Sequence, residues 1–337
     1  MKINKTELKN ALEKVRPGLA SKEIIEQTNA FAFMDGKVVT YNDEICISYP
    51  IELPITGAVK ADELYALLGR LKKDEITVEV TENELLLTSG RTRAGIAFCP
   101  EVRLPLDEIA EASFDWLPLD KSFAAAVGFV QSCCSSDFSR PVLTGVHIQS
   151  KKVTASDAYR MAEHRCKSPI DGVIIPRASL IEALKLTPIA VCTGRGWVHF
   201  KVENDATFSC RVIEGKFPDT TPCWLPEKEG VSVVFPETIE DALSRVEVFA
   251  KADHAQDEVI EITCEGQRMV MKAKKDSGWI EEKLALKGNT EDFSFNITPL
   301  LFRYVLQYTK ACQLTAQKIQ FSQKDWKYLA MLKAVKN

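Results

Sequence analysis

Six amphipathic helix patterns recur along the 337-residue chain at a nearly constant interval, and that interval constrains the fold more than any other feature. The first spans about Thr6 to Arg16, with Leu8, Ala11, Leu12 and Val15 on one apolar stripe. Asn4, with Glu7 three residues on, supplies a capping arrangement in front of it. The second runs from about Lys60 to Leu71 and carries Leu64, Leu67, Leu68 and Leu71. The third runs from about Lys121 to Cys134 with Phe123, Val127 and Val130. The fourth follows Pro176 with Leu180, Ile181 and Leu184, and the fifth follows Pro236 with Ile239, Leu243 and Val246. The sixth opens at Thr298-Pro299, an N-cap and a proline suited to the first helical position, and carries Leu300, Leu301, Tyr304, Val305 and Tyr308. The starts are about 60 residues apart, the signature of one supersecondary unit used six times.

Between these helices the sequence alternates as strands do. Val198 to Val202 turns at Glu203-Asn204-Asp205 and returns through Phe208, Cys210 and Val212. Glu258 to Cys264 turns at Glu265-Gly266 into Met269 to Ala273, and Ile76 to Val80 turns near Glu82-Asn83 into Leu85 to Thr88. Helices alternating with antiparallel hairpins make the chain α+β. Two such units fill a domain of ordinary size, so three similar domains are expected at residues 1–110, 114–228 and 231–337. Linkers fit near Asp107–Ser113 and Pro226–Gly230.

No apolar run approaches the roughly 18 residues that cross a bilayer, and the charged N-terminus lacks a signal-peptide core. A cytoplasmic protein with no membrane partner is the expectation. The ten cysteines include no Cys-x-x-Cys, and Cys46, Cys99, Cys192 and Cys210 sit in apolar or alternating runs, so they read as small buried hydrophobes. The vicinal pair Cys133-Cys134 is open to a redox reading, with helix packing as the plainer one.

Nothing in the sequence asks for catalysis, a metal or a cofactor. His147, His164, His199 and His254 are scattered, with no His-Glu-x-x-His and no metal-ligand spacing. Gly194-Arg195-Gly196 is flanked by strand residues and reads as a hairpin turn, and Gly215-Lys216 lacks the rest of a phosphate loop. No nucleophile elbow occurs. The expectation is a non-catalytic protein with no catalytic residues, no metal site and no cofactor.

Charge is segregated. The chain has 43 basic and 47 acidic residues, net −4, which argues against a generic basic nucleic-acid domain. Yet residues 5–16 and 60–73 each carry +2, 121–134 and 177–186 each +1, and 298–310 +2, against −2 for 236–251. The helices are thus the positive part of an acidic protein, with the fifth as the exception. Helices sharing one surface would turn it towards phosphate while the remainder repels nonspecific contacts. Ordinary solvated lysines remain the alternative for Lys9, Lys72 and Lys73.

Particular residues go beyond pattern. Arg140-Pro141-Val142-Leu143-Thr144-Gly145-Val146, followed by Val153 to Ala162 (Val-Thr-Ala-Ser-Asp-Ala-Tyr-Arg-Met-Ala), resembles the middle domain of the bacterial DNA polymerase III β subunit, the sliding clamp. Val173-Ile174-Ile175-Pro176-Arg177 and Phe208 to Asp219 resemble later parts of that domain in the right order. The resemblance extends over the whole chain through the six-helix layout.

What the resemblance implies is a clamp fold of three similar domains, each with two inner helices and outer antiparallel sheets, in a head-to-tail dimer ring. Such a homodimer encircles double-stranded DNA without sequence preference and confers processivity on a DNA polymerase. Partners would be the polymerase, a clamp loader and other clients that dock by short peptide motifs. The lining cations would be Lys9, Lys14, Lys22, Lys72, Lys73, Lys121, Arg140 and Arg177. Carried over by position, the peptide pocket would be walled by Leu143, Ser156, Ala158, Tyr159, Arg160, Met161, Pro218, Met331 and Leu332. The sequence departs from the family where Ala158-Tyr159 replaces Gly-His, and where it ends Met331-Leu332-Lys333-Ala334-Val335-Lys336-Asn337 instead of Met-Pro-Met-Arg-Leu. Ser21 to Gln27 also lacks the usual Arg-Pro-Thr run. A clamp-like peptide-binding scaffold that does not encircle DNA is the second reading, favoured by the acidic fifth helix. A third, a hydrolase or transferase with a reactive cysteine, rests on Cys133-Cys134 alone.

Overall fold

The computed structural model describes residues 1–109, 115–227, 229–255, 257–288 and 291–334. The linker expected at Asp107–Ser113 falls partly outside these, as do Lys228 of the second linker and the last three residues of the C-terminus. Among the described residues there are six α-helices: α1 Lys5–Val15, α2 Ala61–Arg70, α3 Ser122–Val130, α4 Arg177–Lys185, α5 Ile239–Ala250 and α6 Pro299–Leu306. Their starts agree with the repeat read from the sequence, and each expected hairpin is present.

The chain forms two compact units. One comprises Met1–Ala124, His147–Lys151 and Lys167–Gly215; the other comprises Ala125–Val146, Lys152–Cys166 and Lys216–Asn337. Strand pairing explains why the middle third is divided. In the first unit, a 12-stranded sheet joins the N-terminal strands to the middle of the chain where Ile45–Pro50 pairs with Thr207–Arg211, Ile47 opposite Phe208. In the second unit, Arg160–Arg165 pairs with Trp326–Met331, Met161 opposite Leu329. That sheet continues through Lys318–Ser322 and Ala311–Leu314 to Val231–Val234, all antiparallel. A separate four-stranded sheet of the second unit runs in the order Gly278–Ala285, Arg268–Lys275, Ile260–Glu265, Phe293–Ile297.

α1 shows how local sequence fixes an element. Asn4 Oδ1 accepts from the backbone N–H groups of Thr6 (2.8 Å) and Glu7 (3.1 Å), satisfying two of the donors that a helix start leaves open. Leu8, Ala11, Leu12 and Val15 are buried, as their spacing requires. At the other end the Thr40 hydroxyl donates to the Val15 carbonyl at 2.5 Å. Gly18 follows because a Cβ there would stand 2.3 Å from Thr40 Oγ1. α2 ends at Arg70, so Leu71 lies one residue past the helix and is only half-buried. α6 begins with Thr298 as N-cap and Pro299 in the first turn, without a side-chain capping bond.

The turn Gly194-Arg195-Gly196 is the expected hairpin: Gly194 opposes Trp197, and Arg195 and Gly196 take φ of 48° and 81°. The first unit's core gathers Ala32, Val39, Tyr41, Cys46, Leu104, Ile109 and Trp197. In the second, Phe302 of α6 sits among Phe235 (ring centroids 5.2 Å), Phe295 (6.3 Å) and Phe321 (6.3 Å), so α6 is anchored by aromatic burial. All ten cysteines are unpaired by disulfides; eight are buried, Cys99 is half-buried and Cys223 exposed. No described helix is long and apolar enough to cross a membrane.

Two outcomes follow from this packing. Replacing Asn4 by alanine leaves two N–H groups uncapped and should cost about 1 kcal/mol, read as a lower denaturation midpoint. His199 is buried in its strand with Nδ1 2.8 Å from Ser209 Oγ, and burial lowers its pKa from 6.5 to about 4. The unfolded chain takes up a proton below pH 6.5 that the folded chain refuses until about 4. Stability should therefore fall as pH drops through that window, by at most about 3 kcal/mol. Urea midpoints against pH should show the slope in the natural chain and lose it in His199→Asn.

Candidate nucleic-acid interface and peptide pocket

The cations of α1 and α2 divide into those used internally and those left available. Lys5 is used: its ammonium donates to the Leu71 carbonyl at 2.9 Å, closing the end of α2, and lies 3.5 Å from Asp74. Lys9, one turn on, has no ion pair among the described residues and stands 5.4 Å from the centre of the Tyr65 ring. Arg16 covers the same ring at 4.3 Å, with only a loose 3.8 Å contact to Glu13. Lys14 lies over Tyr49 at 4.5 Å and donates to its hydroxyl at 2.6 Å. Aromatic rings hold a cation in place without cancelling its charge, unlike a carboxylate. Tyr49 and Tyr65 thus join the candidate site; they sit far from the lysines in the chain and no local pattern flags them. Lys72 and Lys73, just past α2, are exposed and have no ion pair among the described residues.

The remaining expected cations are also at the surface. Lys22 is exposed in a loop pinned on both sides by ion pairs, Glu23 to Lys60 at 2.5 Å and Glu26 to Arg103 at 2.7 Å. This loop is therefore ordered by acidic residues, and Lys22 is the one cation within it. Lys121 precedes α3, and Arg177 opens α4. A groove of about 620 Å³ brings Lys14 and Arg16 beside Lys185, which is paired with Glu182 at 2.6 Å. All of these belong to the first unit. Arg140 lies in the second, exposed at the end of a loop that Asp137 organises by accepting from Ser139 N–H (2.9 Å) and Ser139 Oγ (2.8 Å).

The nine expected pocket residues all fall in the second unit. Ser156, Ala158, Tyr159, Arg160 and Met161 form one tight turn and the strand after it. Ser156 Oγ donates to the Arg160 carbonyl at 3.0 Å, and Asp157 Oδ1 accepts from the N–H groups of Tyr159 (3.0 Å) and Arg160 (2.9 Å). The Arg160 side chain turns inward: Nε donates to Asp157 Oδ2 at 3.0 Å and Nη2 to the Ser132 carbonyl at 2.6 Å, leaving it 10% exposed. Its charge is spent on locking the turn. The Tyr159 carbonyl accepts from Met331 N–H at 2.8 Å, which brings the C-terminal strand to the turn. Tyr159 is 51% and Met331 37% exposed, while Leu143 and Met161 are buried. Leu332 is half-buried with its N–H on the Gln317 carbonyl (2.8 Å), and Pro218 is exposed. The surface offered here is an aromatic ring and a thioether over an apolar floor, a form that adapts to varied peptides.

Cys133 is buried near Arg160, and burial pushes its thiol up to about 12. A thiol so placed holds its proton at neutral pH, which removes the motive for a cysteine nucleophile. Among the described residues no group of three or more His, Cys, Asp or Glu side chains could hold a metal.

Ala158 carries φ of +74°, a left-handed conformation that favours glycine and is strained for a residue with a Cβ. Ala158→Gly should therefore raise stability by about 1 kcal/mol, read as a higher melting midpoint, with Tyr159 and Met331 still paired.

Comparison with known proteins agrees with this geometry. The sequence profile described as DNA polymerase III beta subunit, central domain, matches residues 119–219. A beta sliding clamp of Staphylococcus aureus is 29% identical over 230 residues, covering 62% of this chain and 55% of its own. One of Streptococcus pneumoniae is 26% identical over 156 residues, covering 42% and 41%. The chain thus spans about half the length of the curated relatives it matches. In structure, the DNA polymerase sliding clamp of Bacillus subtilis superposes with a TM-score of 0.83 at 16% identity over 99% of both chains. That of Pseudomonas aeruginosa, solved with ligand, gives 0.85 at 17%, again over 99% of both. The matched middle segment includes the Arg140–Val146 run and the Ser156–Met161 turn, and the fold follows the sliding clamps from end to end. Residues 119–219 thus match the central domain of the DNA polymerase III beta subunit, and the chain has the fold of the sliding clamps.

Proposed function

We propose that this protein is a DNA sliding clamp, a non-catalytic subunit that two copies close into a ring around duplex DNA to hold a DNA polymerase in place. The observation that carries the reading is the repeat of six helices in a clamp fold whose α1 and α2 present cations unpaired by carboxylates. In this reading the chain divides into clamp domains 1–110, 114–228 and 231–337, two helices to each. One sheet edge and one partly open strand suit closure: Gly278–Ala285 borders its sheet, and Thr92–Cys99 is paired along its length with Glu84–Ser89 but on its other side only at Phe98 and Cys99. An edge strand of one copy can extend the sheet of the next.

DNA is contacted through phosphates by Lys9, Lys14, Lys22, Lys72, Lys73, Lys121, Arg140 and Arg177, so binding is independent of sequence and screened by salt. The clients are the polymerase, a clamp loader and other proteins with short apolar motifs. They dock on Leu143, Ser156, Ala158, Tyr159, Met161, Pro218, Met331 and Leu332, with Arg160 holding the turn from behind. The setting is the cytoplasm, where replication proteins of this family act.

Loading onto nicked circular DNA by a competent clamp loader, followed by linearisation, tests the proposal. The protein should stay on the circle in high salt and leave when an end is cut. Loss from circle and linear DNA alike would instead leave a peptide-binding scaffold on a clamp fold.

A further inference from the structure

The helix pair α5–α6 treats its charges differently from α1–α2. Arg303 on α6 pairs with Glu247 on α5, and Lys310, just beyond α6, pairs with Glu240 on α5. Of the other two cations, Arg245 is held by Glu282 through two bonds of 2.7 and 3.0 Å, and Lys251, just beyond α5, is exposed. Each pair has one covered partner, Glu247 at 14% and Lys310 at 12% side-chain exposure, and one half-exposed partner, Arg303 at 53% and Glu240 at 45%. Lys310 also donates to the Leu306 carbonyl, which fixes it at the end of α6. Two of the four acidic residues that make the fifth helix an exception in the sequence, Glu240 and Glu247, are therefore aimed at cations on and just after the sixth.

We infer that α5 masks α6: Glu240 and Glu247 neutralise Lys310 and Arg303, so this helix pair does not grip DNA and the duplex is held through α1 and α2. The inference rests on the DNA-encircling function proposed above and adds which helices hold the duplex and which let it pass. The physical reason lies in counterion release. A lysine or arginine tightens DNA binding by displacing condensed cations from phosphate, and one already bonded to a carboxylate must first lose that partner. Lys9, Lys14, Lys72 and Lys73 carry no such partner among the described residues. A lining that grips through one helix pair and is neutral at another holds DNA with fewer simultaneous contacts, which favours sliding over arrest.

The test measures affinity of the full-length protein for a short linear duplex across a salt series. Lys9→Ala, Lys14→Ala, Lys72→Ala and Lys73→Ala combined should flatten log K against log salt. Glu240→Gln with Glu247→Gln should steepen it by about 0.9 per freed cation and tighten binding at low salt. Glu247→Gln with Arg303→Gln removes one pair whole, keeps the charge balance, and should leave the slope unchanged. This variant decides the matter if the double carboxylate variant does not fold. An unchanged slope in the folded double carboxylate variant, or a flatter one when the pair is removed, overturns the mask while the DNA-binding reading stands. No flattening in the four-lysine variant takes down that reading and the mask with it.

Discussion

The pairing of Arg160–Arg165 with Trp326–Met331 is the contact on which most of the second unit depends. It zips a strand from the middle of the chain to one from its end, across a sequence separation that only a cooperatively formed sheet can close. The sheet continues from that strand to Val231–Val234, and α6 is pinned to it through Phe302 on Phe321 and through the Tyr328 hydroxyl, which donates to the Leu301 carbonyl at 2.7 Å. The Ser156–Met161 turn hangs on the same seam, since Met331 reaches the Tyr159 carbonyl only because the strand before it is in register. A one-residue slip would invert every side chain of the strand and dismantle floor and rim together.

Burial and charge are handled by separate parts of each unit. The apolar stripes of the helices are mostly buried in the cores, although Leu300 and Tyr308 of the sixth stand half exposed, and the polar faces are left to specialise. Surface ion pairs contribute little to folding. Their arrangement on α1, α2, α5 and α6 is therefore open to functional adjustment. Arg160 shows the opposite case. Its guanidinium is almost fully covered and its bonds to Asp157 and Ser132 are internal, so it sets the shape of the turn instead of the charge on it.

Much of the fold was legible in the sequence because periodicity depends on neighbours in the chain. The stripe Leu8, Ala11, Leu12, Val15 and the cap at Asn4 are local, and both are where their spacing puts them. α5 begins at Ile239, two residues after the expected start, with Thr238 in the cap position. The resemblance placed the Ser156–Met161 turn, and the structure added its mechanics. What was not legible depends on distant partners. Lys5 and Lys9 are one turn apart and look alike in sequence, yet Lys5 is bonded to Leu71 and Asp74 while Lys9 stands over Tyr65. Net charge counts both equally, so it gives residues 298–310 the same +2 as residues 5–16 although the two segments present that charge very differently.

The distribution of thiols has a practical side. Eight of the ten cysteines are buried and Cys99 is half-buried, which leaves Cys223, in the short turn Thr221–Cys223, as the sulfur open to solvent. Maleimide chemistry would thus mark each natural chain at one position, with no prior removal of other cysteines. In the proposed ring, a fluorophore there would report on a single clamp travelling along stretched DNA, and a pair of dyes on two copies would report when it opens.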